Sequence, residues 1–130
     1  MPTHGPCLVA IVDDEDSVRL ALGRLLRAAG MDVETYSCGS DFLLALRHRR
    51  PQCVVLDLRM PGLGGLELQT ALVEAGEDIP VVIVTGDDAT QSRDRAIDQG
   101  AKAYLRKPVN DDTLLDAIQV AVRSAKRPVA

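Results

Sequence analysis

Leu8-Val9-Ala10-Ile11-Val12-Asp13-Asp14 and Cys53-Val54-Val55-Leu56-Asp57 share one design: an apolar run of strand length that breaks off at a carboxylate. Runs that are apolar at every position belong to parallel strands covered on both faces. Val81-Val82-Ile83-Val84 repeats the pattern and ends at Thr85, and Ala103-Tyr104-Leu105 leads to Lys107. The carboxyl ends of parallel strands form the ligand-binding edge of an open α/β sheet. Asp13, Asp14, Asp57, Thr85 and Lys107 are therefore expected on one rim, a donor set suited to a divalent metal and a phosphoryl group.

Working outward, strands are expected near 7–12, 32–36, 53–57, 80–84 and 102–105, with helices at about 15–29, 40–49, 65–75, 88–98 and 111–124. Alternating strands and helices indicate an α/β fold with a parallel sheet. Met31-Asp32-Val33-Glu34-Thr35-Tyr36 alternates in polarity, which places it at an edge. Helical stripes are read from Val18, Ala21, Leu22, Leu25, Leu26 and Ala29; from Phe42, Leu43 and Leu46; from Leu68, Ala71, Leu72 and Ala75; and from Leu114, Leu115, Ile118, Ala121 and Val122. The segment 88–98 offers little apolar surface beyond Ala96 and Ile97. Helices owe most of their stability to a packed face, so this one is expected to be loosely held and free to shift; a short solvated helix is an equal reading. Right-handed crossovers leave few arrangements, of which a doubly wound five-stranded sheet of order 2-1-3-4-5 with five helices is expected. That order makes strands 1 and 3 neighbours at the topological switch point, where Asp13, Asp14 and Asp57 meet.

Composition limits the function. The 130 residues fit one domain, and 46% of them are hydrophobic, enough for a real core. Phe42, Tyr36 and Tyr104 are the only aromatics, so there is no stacking platform for single-stranded nucleic acid. A net charge of −4 argues against a phosphate-backbone binder. Arg47-His48-Arg49-Arg50 reads better as cations closing a helix than as a basic patch. No apolar stretch is long enough to cross a membrane, and the N-terminus lacks the pattern of a secretory signal, so a cytoplasmic location is expected. Cys7, Cys38 and Cys53 have no metal-ligand spacing, and two of them begin apolar strands as small hydrophobes do.

Crowded carboxylates demand a cation: two like charges about 4 Å apart repel by roughly 4 kcal/mol at an effective dielectric near 20. Hard oxygen donors at a phosphate site point to Mg²⁺. Asp57 stands apart between Leu56 and Leu58, and a carboxylate can attack phosphorus to give an acyl phosphate. Lys107 and Thr85 would then face the transferred oxygens, and Gly86, without a β-carbon, leaves room for them. Each residue has an ordinary reading too. Asp13 to Asp16 suit a helix start, Asp57 suits a turn before Pro61-Gly62, Asp87 or Asp88 suits an N-cap, and Lys107 suits a plain surface. The joint constellation outweighs these.

With these residues in hand, the chain resembles the receiver domains of two-component response regulators over about residues 7–124, a flavodoxin-like fold. The matching pieces are Val12-Asp13-Asp14-Glu15, Leu56-Asp57-Leu58-Arg59-Met60-Pro61-Gly62 with Gly64-Gly65, Val84-Thr85-Gly86, and Tyr104-Leu105-Arg106-Lys107-Pro108. The resemblance implies Asp57 as phosphoacceptor from a histidine kinase or phosphotransfer protein. It implies Mg²⁺ held by Asp13, Asp14, Asp57 and the Arg59 backbone carbonyl, and Lys107 paired with the phosphoryl group. Thr85 and Tyr104 become the switch residues, altering the face of helix 4, strand 5 and helix 5 for a downstream protein or a phosphorylation-dependent homodimer. A cis bond at Lys107-Pro108 is also implied.

Arg19 to Gly30 and Arg59-Met60-Pro61-Gly62 are most similar to the FixJ subfamily, whose receivers usually precede a helix-turn-helix domain. A single receiver domain over 1–130, standing alone with a short tail after 124, is expected. Val109 and the charged fourth helix depart from that subfamily on the expected output face. Arg59 and Asp87 flank the site with opposite charges and are expected to approach one another. Three other functions compete: a phosphohydrolase with an aspartyl nucleophile, a flavin binder, and a degenerate scaffold. Arg59 stands where the hydrolase would carry its acid, the acidic pair repels a flavin phosphate, and the intact site argues against a scaffold. Catalysis is expected to be confined to the chain's own phosphorylation and dephosphorylation.

Overall fold

Five strands and five helices alternate in the computed structural model, which describes residues 7–86 and 89–126. Strands β1 (Leu8–Val12), β2 (Asp32–Tyr36), β3 (Cys53–Leu56), β4 (Val81–Thr85) and β5 (Ala103–Arg106) form one parallel sheet of order β2-β1-β3-β4-β5. Helices α1 (Asp16–Ala28), α2 (Gly39–Ala45), α3 (Gly65–Glu74), α4 (Thr90–Asp98) and α5 (Asp111–Lys126) connect and cover them.

Strand side chains alternate between faces, and both faces here are covered. Ala10, Val12, Val54, Leu56 and Ile83 pack against Phe42, Leu68, Leu72 and Ala96 of α2, α3 and α4. Val9, Ile11, Val55, Val82 and Val84 pack against Leu22, Leu26, Leu114 and Ile118 of α1 and α5. Every residue of β1, β3 and β4 is buried, whereas β2 is half-exposed at the edge, as its alternation requires. Each fully buried aliphatic side chain contributes about 1.5–3 kcal/mol, which is why the central strands tolerate no polar residue until their ends.

Several details differ from the sequence reading. Helix α2 stops at Ala45, and Arg47 to Arg50 lie beyond it. Those cations do not close the helix. Arg49 crosses to β2, pairing with Glu34 at 2.7 Å and Asp32 at 3.8 Å, and Arg50 pairs with Glu77. Pro51 disfavours a helical Arg50, but the helix already gives way to tighter turns over Leu46 to His48, where the Arg47 and His48 amides bond to Leu44 and Ala45. Ala21, Ala29 and Ala75 are exposed at the margins of their stripes. Residue Ala89 is the N-cap of α4; Asp87 and Asp88, proposed as caps, lie outside the described residues.

Helix α4 does have the sparse apolar anchor expected: Ala96 is fully buried, while Ile97 is 44% exposed. A polar seam to α3 supplements it. Gln69 Nε2 donates to the Ala96 carbonyl at 3.1 Å, and the Thr70 hydroxyl lies 2.6 Å from Gln99 Oε1. Gln69 Oε1 is buried with no hydrogen-bond partner among the described residues.

Candidate phosphoryl and metal site

Register builds the site. Val12 lies beside Leu56 across the β1–β3 ladder, so Asp13 and Asp57 emerge side by side one residue later. The Asp57 amide donates to the Val12 carbonyl at 3.0 Å, locking that step. Asp13, Asp14 and Asp57 each present a carboxylate oxygen, and these three oxygens lie within 4.8 Å of one another. Asp13 and Asp57 are buried, and Asp14 is exposed at the mouth.

Close backbone packing fixes Asp57. The Gly65 amide donates to the Leu58 carbonyl at 3.0 Å. A β-carbon on Gly65 would stand 2.5 Å from the Asp57 carbonyl oxygen and 2.7 Å from the Leu58 Cα, so only glycine fits where α3 begins. Beyond the strand, the Arg59 amide donates to Asp57 Oδ1 at 3.2 Å, and the Arg59 side chain is exposed. Gly86, by contrast, faces open space: a β-carbon there would meet no described atom within 4 Å.

Lys107 enters from the far side of the sheet. Its amide donates to the Thr85 carbonyl at 2.9 Å, and the bond to Pro108 is cis, as expected. Its ammonium donates to Asp13 Oδ2 at 2.9 Å, to Asp57 Oδ2 at 3.2 Å and to Glu15 Oε1 at 3.5 Å. Burial would pull the Lys107 pKa down, but hydrogen bonds and charge from Asp13 and Asp57 outweigh it and hold the pKa above the usual value. Burial raises the Asp13 pKa, and the Asp57 charge adds to the rise, against hydrogen bonds from the Glu15 amide and Lys107. Thr85 is fully buried at the end of β4. Tyr104, on β5, is half-buried against the α2–α4 core.

All five residues expected at the rim stand at strand ends, and Asp13, Asp14, Asp57 and Lys107 converge. The Arg59–Asp87 approach cannot be placed, because Asp87 is outside the described residues. Two neighbours went unassigned in the sequence reading. Glu15 reaches Lys107, and Arg19 reaches back from α1 to the Asp13 carbonyl at 2.6 Å. The Asp16–Arg19 pair at helical i, i+3 spacing was the available signal for the second.

An all-oxygen, mutually close donor set with an exposed member suits a hard divalent cation that keeps part of its hydration. No helix among the described residues is long and apolar enough to cross a membrane.

Residues 9–119 match the response regulator receiver domain. The chain is 40% identical over 120 residues to the transcriptional regulatory protein TdiR of Thauera aromatica, covering 92% of this chain and 53% of TdiR. Among solved structures it is similar to response regulator StyR, with 43% identity and a TM-score of 0.83 over 93% of this chain and 61% of that one. The FixJ-N structure has 31% identity and a TM-score of 0.84 over 98% of this chain and 99% of that one. This chain spans about half the length of the curated relatives it matches. With its parallel 2-1-3-4-5 sheet and acidic switch-point crevice, the chain belongs to the response regulator receiver domains of two-component systems.

Proposed function

We propose that this chain is a phosphorylation-controlled signalling module in which Asp57 accepts a phosphoryl group from a phosphohistidine donor on a histidine kinase or phosphotransfer protein. The observation that carries the reading is the Lys107 ammonium bridging Asp13 and Asp57 beside a third carboxylate, Asp14. Receiver domains bind Mg²⁺ through acidic residues, and Asp13, Asp14, Asp57 and the Arg59 carbonyl would hold it here. When bound, Mg²⁺ neutralises charge on the transferring oxygens.

The Asp57 carboxylate attacks phosphorus as the N–P bond of phosphohistidine breaks, leaving an acyl phosphate here and a free imidazole on the donor. Such transfer needs positioning and charge neutralisation more than extra catalytic groups. Lys107 supplies a fixed ammonium to the phosphoryl oxygens, and the Thr85 hydroxyl supplies a hydrogen bond. Movement of Thr85 and Tyr104 then alters the α4-β5-α5 face for a downstream protein or a second copy. The sparse apolar anchor of α4 supports that choice of moving element.

On this reading the module acts on no separate substrate. It comprises one receiver domain, works in the cytoplasm, and contacts neither membrane nor nucleic acid directly. Incubation with MgCl₂ and a small acyl phosphate should give a mass gain that is absent in Asp57→Ala. A gain that persists in Asp57→Ala would refute the assignment, and steady hydrolysis of a phosphate ester would favour a phosphohydrolase.

A further inference from the structure

Arg19 lies in the first turns of α1, yet its side chain is only 18% exposed and turns back over the loop that precedes the helix. Nη1 donates to the Asp13 main-chain carbonyl at 2.6 Å, and Nη2 pairs with Asp16. One planar guanidinium thus spans the loop from the first residue after β1 to the first residue of α1. The helix has no side-chain N-cap bond of its own: Glu15 occupies that position without one. Arg19, a donor that cannot cap the helix amides, ties the loop from its carbonyl side instead.

The carbonyl oxygen of Asp13 and the amide nitrogen of Asp14 share one rigid peptide plane. Pinning that oxygen therefore sets the direction in which Asp14 leaves the strand. The Asp13 amide is bonded to the Tyr36 carbonyl at 3.1 Å, and Asp13 Oδ1 accepts from the Glu15 amide at 2.9 Å. The remaining freedom is rotation of the Asp13–Asp14 peptide, which the Arg19 bond removes. Asp13, Asp14, Glu15 and Asp16 are four consecutive acids, so the guanidinium also offsets repulsion within the loop.

We infer that Arg19 is a positioning residue for the divalent-cation site, aiming Asp14 through the Asp13 carbonyl without touching the ion. This rests on the reading that the acidic cluster holds Mg²⁺. The outer arm contributes little, because Asp16 is 92% exposed. The inner arm carries the effect.

The test is titration of the full chain with MgCl₂, followed by backbone amide shifts. Arg19→Ala is expected to weaken Mg²⁺ binding by about tenfold, the scale for groups that orient metal ligands. Arg19→Lys, which keeps the charge but loses the planar fork, should fall between Arg19→Ala and the parent. Asp16→Ala should bind as the parent does. Phosphorylation of Arg19→Ala should be slow at limiting Mg²⁺ and recover as Mg²⁺ is raised, a split that general loss of structure would not produce. Unchanged Mg²⁺ affinity in Arg19→Ala overturns the inference. If that variant fails to fold, Arg19→Lys decides: several-fold weaker binding supports the inference, and parental affinity overturns it. A parent chain with no Mg²⁺ response overturns the underlying site reading, a failure visible before any variant is compared.

Discussion

Lys107 Nζ lies closer to Asp13 Oδ2, at 2.9 Å, than to Asp57 Oδ2, at 3.2 Å. The ammonium is thus held most tightly by a proposed metal ligand and less tightly by the proposed phosphoacceptor. The contact favours the charged form of both partners, yet Asp13 remains harder to ionise than a free carboxyl. Burial accounts for the difference, since the Asp13 side chain is 4% exposed and that of Lys107 is 21% exposed.

The first prediction follows from that imbalance. A raised Asp13 pKa means the fold favours the protonated acid, a contribution fully present below 3.8 and lost as pH rises through the raised folded value. At neutral pH the ionised Asp13 therefore costs stability. Asp13→Asn should melt a few degrees higher than the parent without metal, on the order of 1 kcal/mol, and MgCl₂ should raise its melting temperature less. Calorimetry with and without MgCl₂ checks this; a lower melting temperature for Asp13→Asn would contradict it.

Gly65 gives the second. Its missing β-carbon leaves space for the Asp57 and Leu58 backbone, so Gly65→Ala must push that backbone away. A loss of about 1–3 kcal/mol is expected, the usual cost of overpacking, together with slower phosphorylation. Gly86→Ala, with no described atom in the way, should melt as the parent does. Equal denaturation midpoints for Gly65→Ala and Gly86→Ala would count against the account.

The seam between α3 and α4 separates stability from mobility. Gln69→Leu removes one bond to the Ala96 carbonyl, but also an unpartnered buried oxygen. The Ala96 carbonyl keeps its bond from the Ala101 amide at 3.0 Å. Net stability should change by less than about 1 kcal/mol, while amides of α4 exchange faster with solvent deuterium. Exchange rates at parental values would show that the seam does not restrain α4.

Cys53 supplies a pH prediction. Burial, with a smaller push from Cys7, raises its thiol from 9.0 to about 12. The unfolded chain releases this proton first, so the associated stability is complete below 9.0 and fades as pH rises toward about 12. The native thiol should resist a thiolate-selective reagent at about pH 8 and react only with denaturant present. Mass mapping of the labelled cysteines tests this; fast native labelling at Cys53 would refute it.

Much of this structure can be read from the chain because its central strands must be apolar throughout. Val12 and Leu56 end such runs, so the polar residues that follow them mark the rim without any knowledge of helix packing. Asp32 and Glu34 mark the edge for the same reason. Arg19 and Gln69 were less legible. A charged or amide side chain at a helical position looks solvated until the fold shows which backbone carbonyl it reaches. The end of α2 was missed because Arg49 is drawn to β2, a partner distant in sequence.

That same Arg49 has a bearing on assembly. An open sheet margin invites another chain to add a strand, and β2 is such a margin. Its carboxylates Asp32 and Glu34 share one face of the strand and are both paired with Arg49. Charged side chains on an edge strand discourage pairing with another chain, so this ionic cluster guards against aggregation through the border.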